Sequence, residues 1–262
     1  MANADTSPTS KKRNESELLL SFARGLAVIE VFSRTNAPQS MAEIAKMTKL
    51  PRATVRRILF TLKDLGYALE DDKKYCLTPK ILTLAQAYLV SSCLPRTIQP
   101  ILEDITKHTG ESSSFAVLED TNIIYVARSS EEKMRIMSGS LHVGSTLPAY
   151  CTSMGRAILS QLSKNEQLGI LKASNIIRHT EYTLINLDDI LETLDNDRIN
   201  GYSIVNQELE LGLCSISVAV KSRDNKVLGS LNISTHVLRT DPTQVREKYL
   251  PYLESALKMI SL

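Results

Sequence analysis

SMAEIAKMTKLPRATVRRILFTLKDLG, residues 40–66, holds the signals of two helices and of the turn between them. Ser40 followed by Glu43 is a capping box, in which the hydroxyl accepts from a first-turn amide and the carboxylate from the cap amide. A short helix therefore starts at Met41, with Ile44 and Ala45 turned inward. Pro51 suits the first position of the second helix, where its missing N–H costs nothing and its fixed φ is already helical. That helix is expected to run to about Leu65. Val55, Ile58, Leu59, Leu62 and Leu65 recur at helical spacing as the buried stripe, leaving Arg52, Ala53, Arg56, Arg57 and Phe60 on the opposite side. Lys49 departs from the pattern, because turns of this kind take glycine there to reach positive φ. A lysine costs roughly 1 kcal/mol at such a position, unless the turn itself differs.

From Lys49 to Lys63 there are five basic residues and no acidic one. A run of charge on a helix is ordinarily a solvated face. Behind a helix–turn–helix it fits nucleic acid: cations at the groove rim meet phosphates, and arginine or short polar side chains near the helix start reach base edges. Arg52, Thr54 and Arg56 are placed for both, with Arg57 and Lys63 for phosphates. Tyr67–Glu70 and Lys74–Thr78 then read as two short strands around Asp71, Asp72 and Lys73, a hairpin wing beside the helices.

At 262 residues the chain has room for two domains. Its net charge of +2 hides an asymmetry. Residues 1–80 carry 14 Lys and Arg against 9 Asp and Glu, while residues 81–262 carry 17 against 20. The basic part is the part with the helix–turn–helix. No apolar run reaches the ~18 residues of a membrane span, and the N-terminus lacks an apolar signal-peptide core; the cytoplasm is the expected location. Cys76, Cys93, Cys151 and Cys214 are widely spaced, which supports neither a disulfide framework nor a zinc site.

Residues 1–17 are polar and read as a flexible arm, in which Lys11, Lys12 and Arg13 could touch DNA, a solvated tail being the more ordinary reading. Phe22, Leu26, Ile29 and Phe32 repeat at helical spacing and define a first helix over 18–33, to pack beneath the helix–turn–helix. A winged helix–turn–helix domain thus spans 18–79, and the amphipathic stretch after Pro79 makes 80–94 a connector helix. Residues 95–262 read as an α+β domain on a mostly antiparallel sheet. Its first helix runs from Arg96 to His108 with Ile98, Ile101, Leu102 and Ile105 inward. Its strands cover Ser114–Leu118, Ile123–Ala127, Tyr202–Leu209, Ser215–Lys221 and Val227–Ser234. Helices start near Thr152, at Ser163 with a second capping box to Glu166, and at Leu187, the last ending at Gly201. A final helix covers about Asp241 to Ile260.

LPRATVRRILFTLKDLGY (50–67), the wing ending LTP (77–79), VGSTLPAYCTSMGRAIL (143–159) and INGYSIVNQELELGLCSISVAV (199–220) together resemble the IclR-type transcriptional regulators. The likeness runs from about Leu18 to the C-terminus. IYVARSS (124–130), RIMSGSLHVGS (135–145) and PAYCTSMGRAILS (148–160) look most like the branch that controls protocatechuate, 4-hydroxybenzoate and β-ketoadipate catabolism. The resemblance implies a dimer formed through the DNA-binding domain and paired into a tetramer. It also implies double-stranded operator DNA as partner, RNA polymerase as a further candidate partner, and a curved antiparallel sheet whose concave side holds a small aromatic or dicarboxylic acid. It brings no cofactor.

Matched to that family's pocket, Ala149, Tyr150, Ser153, Ser215, Asn232 and Ser234 would line the effector cavity. Asn232 and Ser234 face the same way on one strand. The loop before Thr152 enters a helix, so amides near Thr152, Ser153 and Met154 offer a carboxylate seat; plain N-capping is the ordinary alternative. Arg135 is the candidate counter-ion, an exposed strand arginine being equally ordinary. Catalysis has little support. His108, His142, His179 and His236 show no metal-ligand spacing, and a Cys151–His142 pair lacks a third, orienting group. A sensing module of the same fold that does not act through DNA is the alternative, against which the basic helix argues.

Overall fold

The computed structural model describes residues 18–35, 37–91, 93–130 and 141–260. The arm expected over 1–17 and the candidate counter-ion Arg135 lie outside the described residues. The described residues form two compact units that divide between Tyr88 and Leu89.

In the first unit, α1 (Leu20–Val31), α2 (Met41–Thr48) and α3 (Arg52–Asp64) pack with a three-stranded sheet of β1 (Gln39–Ser40), β2 (Ala68–Asp71) and β3 (Lys74–Leu77), in the order β1-β3-β2. The capping box forms as expected: Ser40 N–H donates to Glu43 Oε2 at 2.7 Å and Glu43 N–H to Ser40 Oγ at 3.3 Å. Lys49 adopts the left-handed conformation, φ 57° and ψ 22°, so the turn keeps its usual path and the lysine bears the strain. Pro51 sits one residue earlier than expected. Its ψ is 139°, and it flanks the helix, its carbonyl accepting from Thr54 and Val55 at 2.9 and 3.1 Å. The wing turns through Asp72 and Lys73, both at positive φ, the two-residue geometry that matches strand twist.

Val28, Val31, Ile44, Ala45, Val55, Leu59, Leu62, Ala68 and Tyr75 form this unit's core. Two expectations fail here. Leu65 is 52% exposed, because α3 ends at Asp64 and the chain turns away. Phe22 and Leu26 are also exposed, whereas the expected Ile29 and Phe32 do pack against the core, beside the buried Val28 and Val31. The helix LSFARGLAVIEV is apolar on more than one side, so periodicity alone does not choose which side packs.

The second unit is built on a six-stranded sheet in which every neighbouring pair is antiparallel, in the order β6-β5-β4-β9-β8-β7. Its strands are β4 (Ser112–Glu119), β5 (Asn122–Ser129), β6 (Thr146–Pro148), β7 (Ser203–Asn206), β8 (Leu213–Lys221) and β9 (Val227–His236). On one face α5 (Cys93–Thr109) and α9 (Val245–Met259) close a core of Ile98, Leu102, Phe115, Ile216, Leu231, Tyr249 and Leu253. On the other, α6 (Ser153–Leu159), α7 (Lys164–Ala173) and α8 (Leu187–Asn200) join Ala116, Ile123, Tyr150, Met154, Ile158 and Leu194. α4 (Leu82–Ser91) carries the chain across the boundary between the units.

Local signals explain the helix ends. Ser163 and Glu166 form the second capping box, and Gly201 ends α8 at φ 79°. Gly155 lies so close to the preceding loop that a Cβ there would stand 2.2 Å from the Ala149 carbonyl oxygen, so the absence of a side chain lets that loop fold against the first turn of α6. No helix among the described residues is long and apolar enough to cross a membrane.

Candidate functional site: a basic helix and a polar cleft

Arg52, Ala53, Arg56, Arg57 and Phe60 project from the outer face of α3, all exposed, with Thr54 half-buried at its edge. The arginines are not equivalent. The Arg56 charge is near enough to the wing to act on the Tyr75 phenol. Arg57 and Thr54 border an apolar hollow of about 480 Å³ between α1 and α3, walled by Leu19, Phe22, Leu26, Ile29, Ile58 and Leu65. Lys63 is ion-paired with Glu70 on β2. That lysine, together with the Tyr75 hydroxyl, holds the Glu70 carboxyl below its ordinary value, so a phosphate at Lys63 would compete with a carboxylate.

The second site lies on the sheet face beneath α6. Strand register sets polar side chains in rows: Arg128–Ser114–Asn232–Ser217 across β5, β4, β9 and β8, and Ser112–Ser234–Ser215 beside it. Ser153, the first residue of α6, reaches down between them. Its Oγ donates to Ser215 Oγ at 2.8 Å and accepts from Ser217 Oγ at 2.7 Å. Asn232 Nδ2 donates to Ser234 Oγ at 2.8 Å. Asn232 Oδ1 and Ser112 Oγ have no hydrogen-bond partner among the described residues.

Of the residues expected here, Thr152, Ser153, Met154, Ser215, Asn232 and Ser234 line the cleft. Ala149 and Tyr150 do not. Ala149 is occupied by its close approach to Gly155. The Tyr150 hydroxyl donates to the Ile177 carbonyl at 2.8 Å and accepts from the Ile177 amide at 3.1 Å, which fastens a distant loop. Thr152 caps α6, its Oγ1 accepting from Gly155 N–H at 3.2 Å and donating to the Pro148 carbonyl at 2.9 Å. Its hydroxyl is therefore engaged in capping.

Ser112, Tyr125, Arg128 and Cys151 also line the cleft and were missed in the sequence. For Arg128 the cause is a β-bulge. Ala116 pairs with Tyr125 and Phe115 with Ala127, so Val126 is an extra residue in β5. Strict alternation from Tyr125 would send Arg128 to the opposite face; the inserted residue returns it to the cleft. Ser112 and Ser114, alternating ahead of an apolar strand, were the legible hint. Burial pushes the Tyr125 phenol and the Cys151 thiol up to about 12, which makes Cys151 a poor nucleophile. Burial also lowers the half-buried Arg128 from its ordinary value. The cavity volume is about 30 Å³, against ~300 Å³ or more for a typical small-ligand site. The walls must therefore part to admit a ring.

α6 is held over this cleft by a buried ion pair. Arg156 NH1 and NH2 lie 2.6 and 2.7 Å from the two carboxylate oxygens of Glu208, in the loop between β7 and β8. Arg156 Nε donates to the Tyr150 carbonyl, and Glu208 accepts from the Leu184 amide.

Comparison with known proteins agrees with both halves. The IclR helix-turn-helix domain matches residues 21–72, and the C-terminal domain of the bacterial transcriptional regulator IclR matches residues 86–262. The Pca regulon regulatory protein of Pseudomonas putida is 40% identical over 240 residues, 92% of this chain and 82% of that protein. A crystal structure of a transcriptional regulator from Rhodococcus sp. RHA1 superposes with a TM-score of 0.78 at 36% identity, covering 93% of this chain and 97% of that one. The inducer-binding domain of the PobR transcription factor from Acinetobacter, a double mutant solved with 3-hydroxybenzoic acid, gives 0.59 at 29% identity, covering 64% and 96%. With the helix–turn–helix domain and the C-terminal domain both matched in one chain, the protein belongs to the IclR family of DNA-binding transcriptional regulators.

Proposed function

We propose that this regulator controls an operon of aromatic-acid catabolism by binding operator DNA through paired α3 helices and sensing a small aromatic or dicarboxylic acid in the polar cleft. The observation that carries this reading is the cleft. Its serines, asparagine and arginine face one another beneath α6 where an ordinary domain would place apolar core. The likeness to a Pca regulon regulator and to a hydroxybenzoate-binding domain supports the class of acid. An aromatic acid is the preferred member, with β-ketoadipate the second. The site of action is the cytoplasm.

One recognition helix covers too few base pairs for genomic specificity, so the DNA-bound form is a dimer or a pair of dimers. The hollow between α1 and α3, with Phe22 and Leu26 exposed beside it, supports a second copy docked there. Phe22→Glu should give monomers by light scattering; a dimer that survives the change would remove the hollow from the interface. For the effector, calorimetry with protocatechuate, 4-hydroxybenzoate and β-ketoadipate is paired with mobility shifts on the chain's own promoter region. One acid should bind and alter retardation. An acid that binds tenfold tighter to one arrangement shifts the equilibrium by ~1.4 kcal/mol. Binding of none would leave the family and remove the aromatic-acid assignment.

A further inference from the structure

Within the cleft the hydrogen-bonding groups divide into two kinds, and the division specifies a ligand. We infer, resting on the effector reading above, that Arg128 seats the carboxylate and that Asn232 with Ser112 seats a hydroxyl. The site is thereby matched to an acid with one carboxylate and one hydrogen-bond donor.

Arg128 is a cation among neutral groups. Its NH1 donates to Ser114 Oγ at 3.2 Å, and no carboxylate pairs with it among the described residues. The buried acids of this unit lie elsewhere: Glu111 is committed to Arg239, Thr235 and Tyr249, Glu208 to Arg156, and Asp197 stands beside Ser203 and Arg156. A guanidinium presents five donors in a planar fork suited to a carboxylate. Half-buried and facing a neutral cleft, it has most to gain from an incoming anion. The bulge at Val126 is what aims it there.

Asn232 lies two strands away, roughly 10 Å between backbones at the usual strand spacing, in register with Ser114. Its amide is 3% exposed and Ser112 2%, yet Asn232 Oδ1 and Ser112 Oγ lack partners among the described residues. With Nδ2 donating to Ser234, the oxygen is the free end of the amide. A ligand hydroxyl can donate to that oxygen and exchange a hydrogen bond with Ser112. A second carboxylate only accepts, and would oppose the lone pairs of Asn232. A bare ring would leave both groups unsatisfied, and sites built to hydrogen-bond a hydroxyl discriminate strongly against analogues lacking it.

The test uses calorimetry on the full chain with four probes: 4-hydroxybenzoate, benzoate, adipate and the neutral 4-hydroxybenzamide. Wild type should prefer 4-hydroxybenzoate to benzoate and adipate. Arg128→Gln should weaken 4-hydroxybenzoate by about tenfold or more, the scale of a charge-assisted contact, and leave the benzamide unchanged. Asn232→Leu should bring 4-hydroxybenzoate down to the level of benzoate while leaving benzoate itself unaltered. Arg128→Lys keeps the charge and should retain the preference for acid over amide, which separates a ligand contact from a folding defect. Equal affinity of wild type and Arg128→Gln for the acid overturns the carboxylate seat. Equal losses of benzoate and hydroxybenzoate in Asn232→Leu overturn the hydroxyl seat. If wild type binds none of the three acids, this assignment falls, and the effector reading falls with it only when protocatechuate and β-ketoadipate also fail to bind; binding that ignores Arg128 and Asn232 overturns this assignment alone.

Discussion

Arg156 and Glu208 face each other through two parallel hydrogen bonds of 2.7 Å or less, with both side chains out of water. One stands on α6 and the other in the β7–β8 loop, so the pair fixes the helix that roofs the cleft. Removing one partner leaves an uncompensated buried charge, which costs ~3–5 kcal/mol. Glu208→Ala should therefore destabilise the C-terminal unit by about that amount in urea. The double change Arg156→Met with Glu208→Leu should recover most of it, since an apolar pair of similar volume replaces a buried ion pair at little cost. A double variant no more stable than Glu208→Ala would show that the neighbouring hydrogen bonds matter more than charge balance.

Asp197 on α8 gives the fold a pH dependence. Burial lifts its carboxyl from an ordinary 3.8 to about 6, against the Ser203 hydroxyl and the Arg156 charge and with help from Glu208. An acid raised in the folded state favours folding most when protonated. Its contribution is fully present below the unfolded value and is lost as pH climbs from about 4 to about 6. At ~1.4 kcal/mol for each tenfold change in proton affinity, the loss is up to ~3 kcal/mol. Asp197→Asn should stabilise the unit at pH 7.5 and have little effect at pH 4, measured by urea denaturation at both. An equal effect at both values would mean that Asp197 is already ionised in acid.

Lys49 holds a positive φ that glycine adopts without penalty. Lys49→Gly should raise the stability of the N-terminal unit by up to ~1 kcal/mol, the gain being reduced by glycine's freer unfolded chain. Thermal melts followed in the N-terminal transition measure it. Unchanged or lower stability would indicate that the lysine side chain contributes contacts which offset its backbone strain.

On DNA, Arg52 and Arg56 are expected at base edges and Arg57 at phosphate. Arg52→Ala or Arg56→Ala should cost ~1–3 kcal/mol on the selected site and relax sequence choice there. Arg57→Ala should weaken all sequences alike and reduce the salt slope by about 1. Because Arg57 also borders the α1–α3 hollow, its variant is to be weighed by light scattering alongside the DNA titration. Full discrimination between selected and scrambled DNA in the Arg52 and Arg56 variants would refute their assignment.

What could be read from the residues followed the range of the forces involved. The capping boxes at Ser40 and Ser163, the wing turn at Asp72 and Lys73, and the Gly201 stop are written within four or five residues, and each forms. β1 and β6 were missed because two or three residues have no pattern of their own and become strands only through β3 and β5. The packing side of α1 was read correctly at Ile29 and Phe32 and wrongly at Phe22 and Leu26, because two apolar stripes compete and only the partner helices decide. In the cleft, Ser153, Ser215, Asn232 and Ser234 were named from resemblance and lie along its wall. Arg128 escaped because a single extra residue in β5 reverses the alternation on which the reading depends.

The six-stranded sheet ends on its two shortest strands, three residues in β6 and four in β7, against eight to ten in the interior strands. The outer strand β6 also closes on Pro148, which has no N–H to offer. Long open edges template pairing with another chain, and edges this short do not. Among the described residues, neither edge of this sheet offers the long open strand on which another chain could zip up.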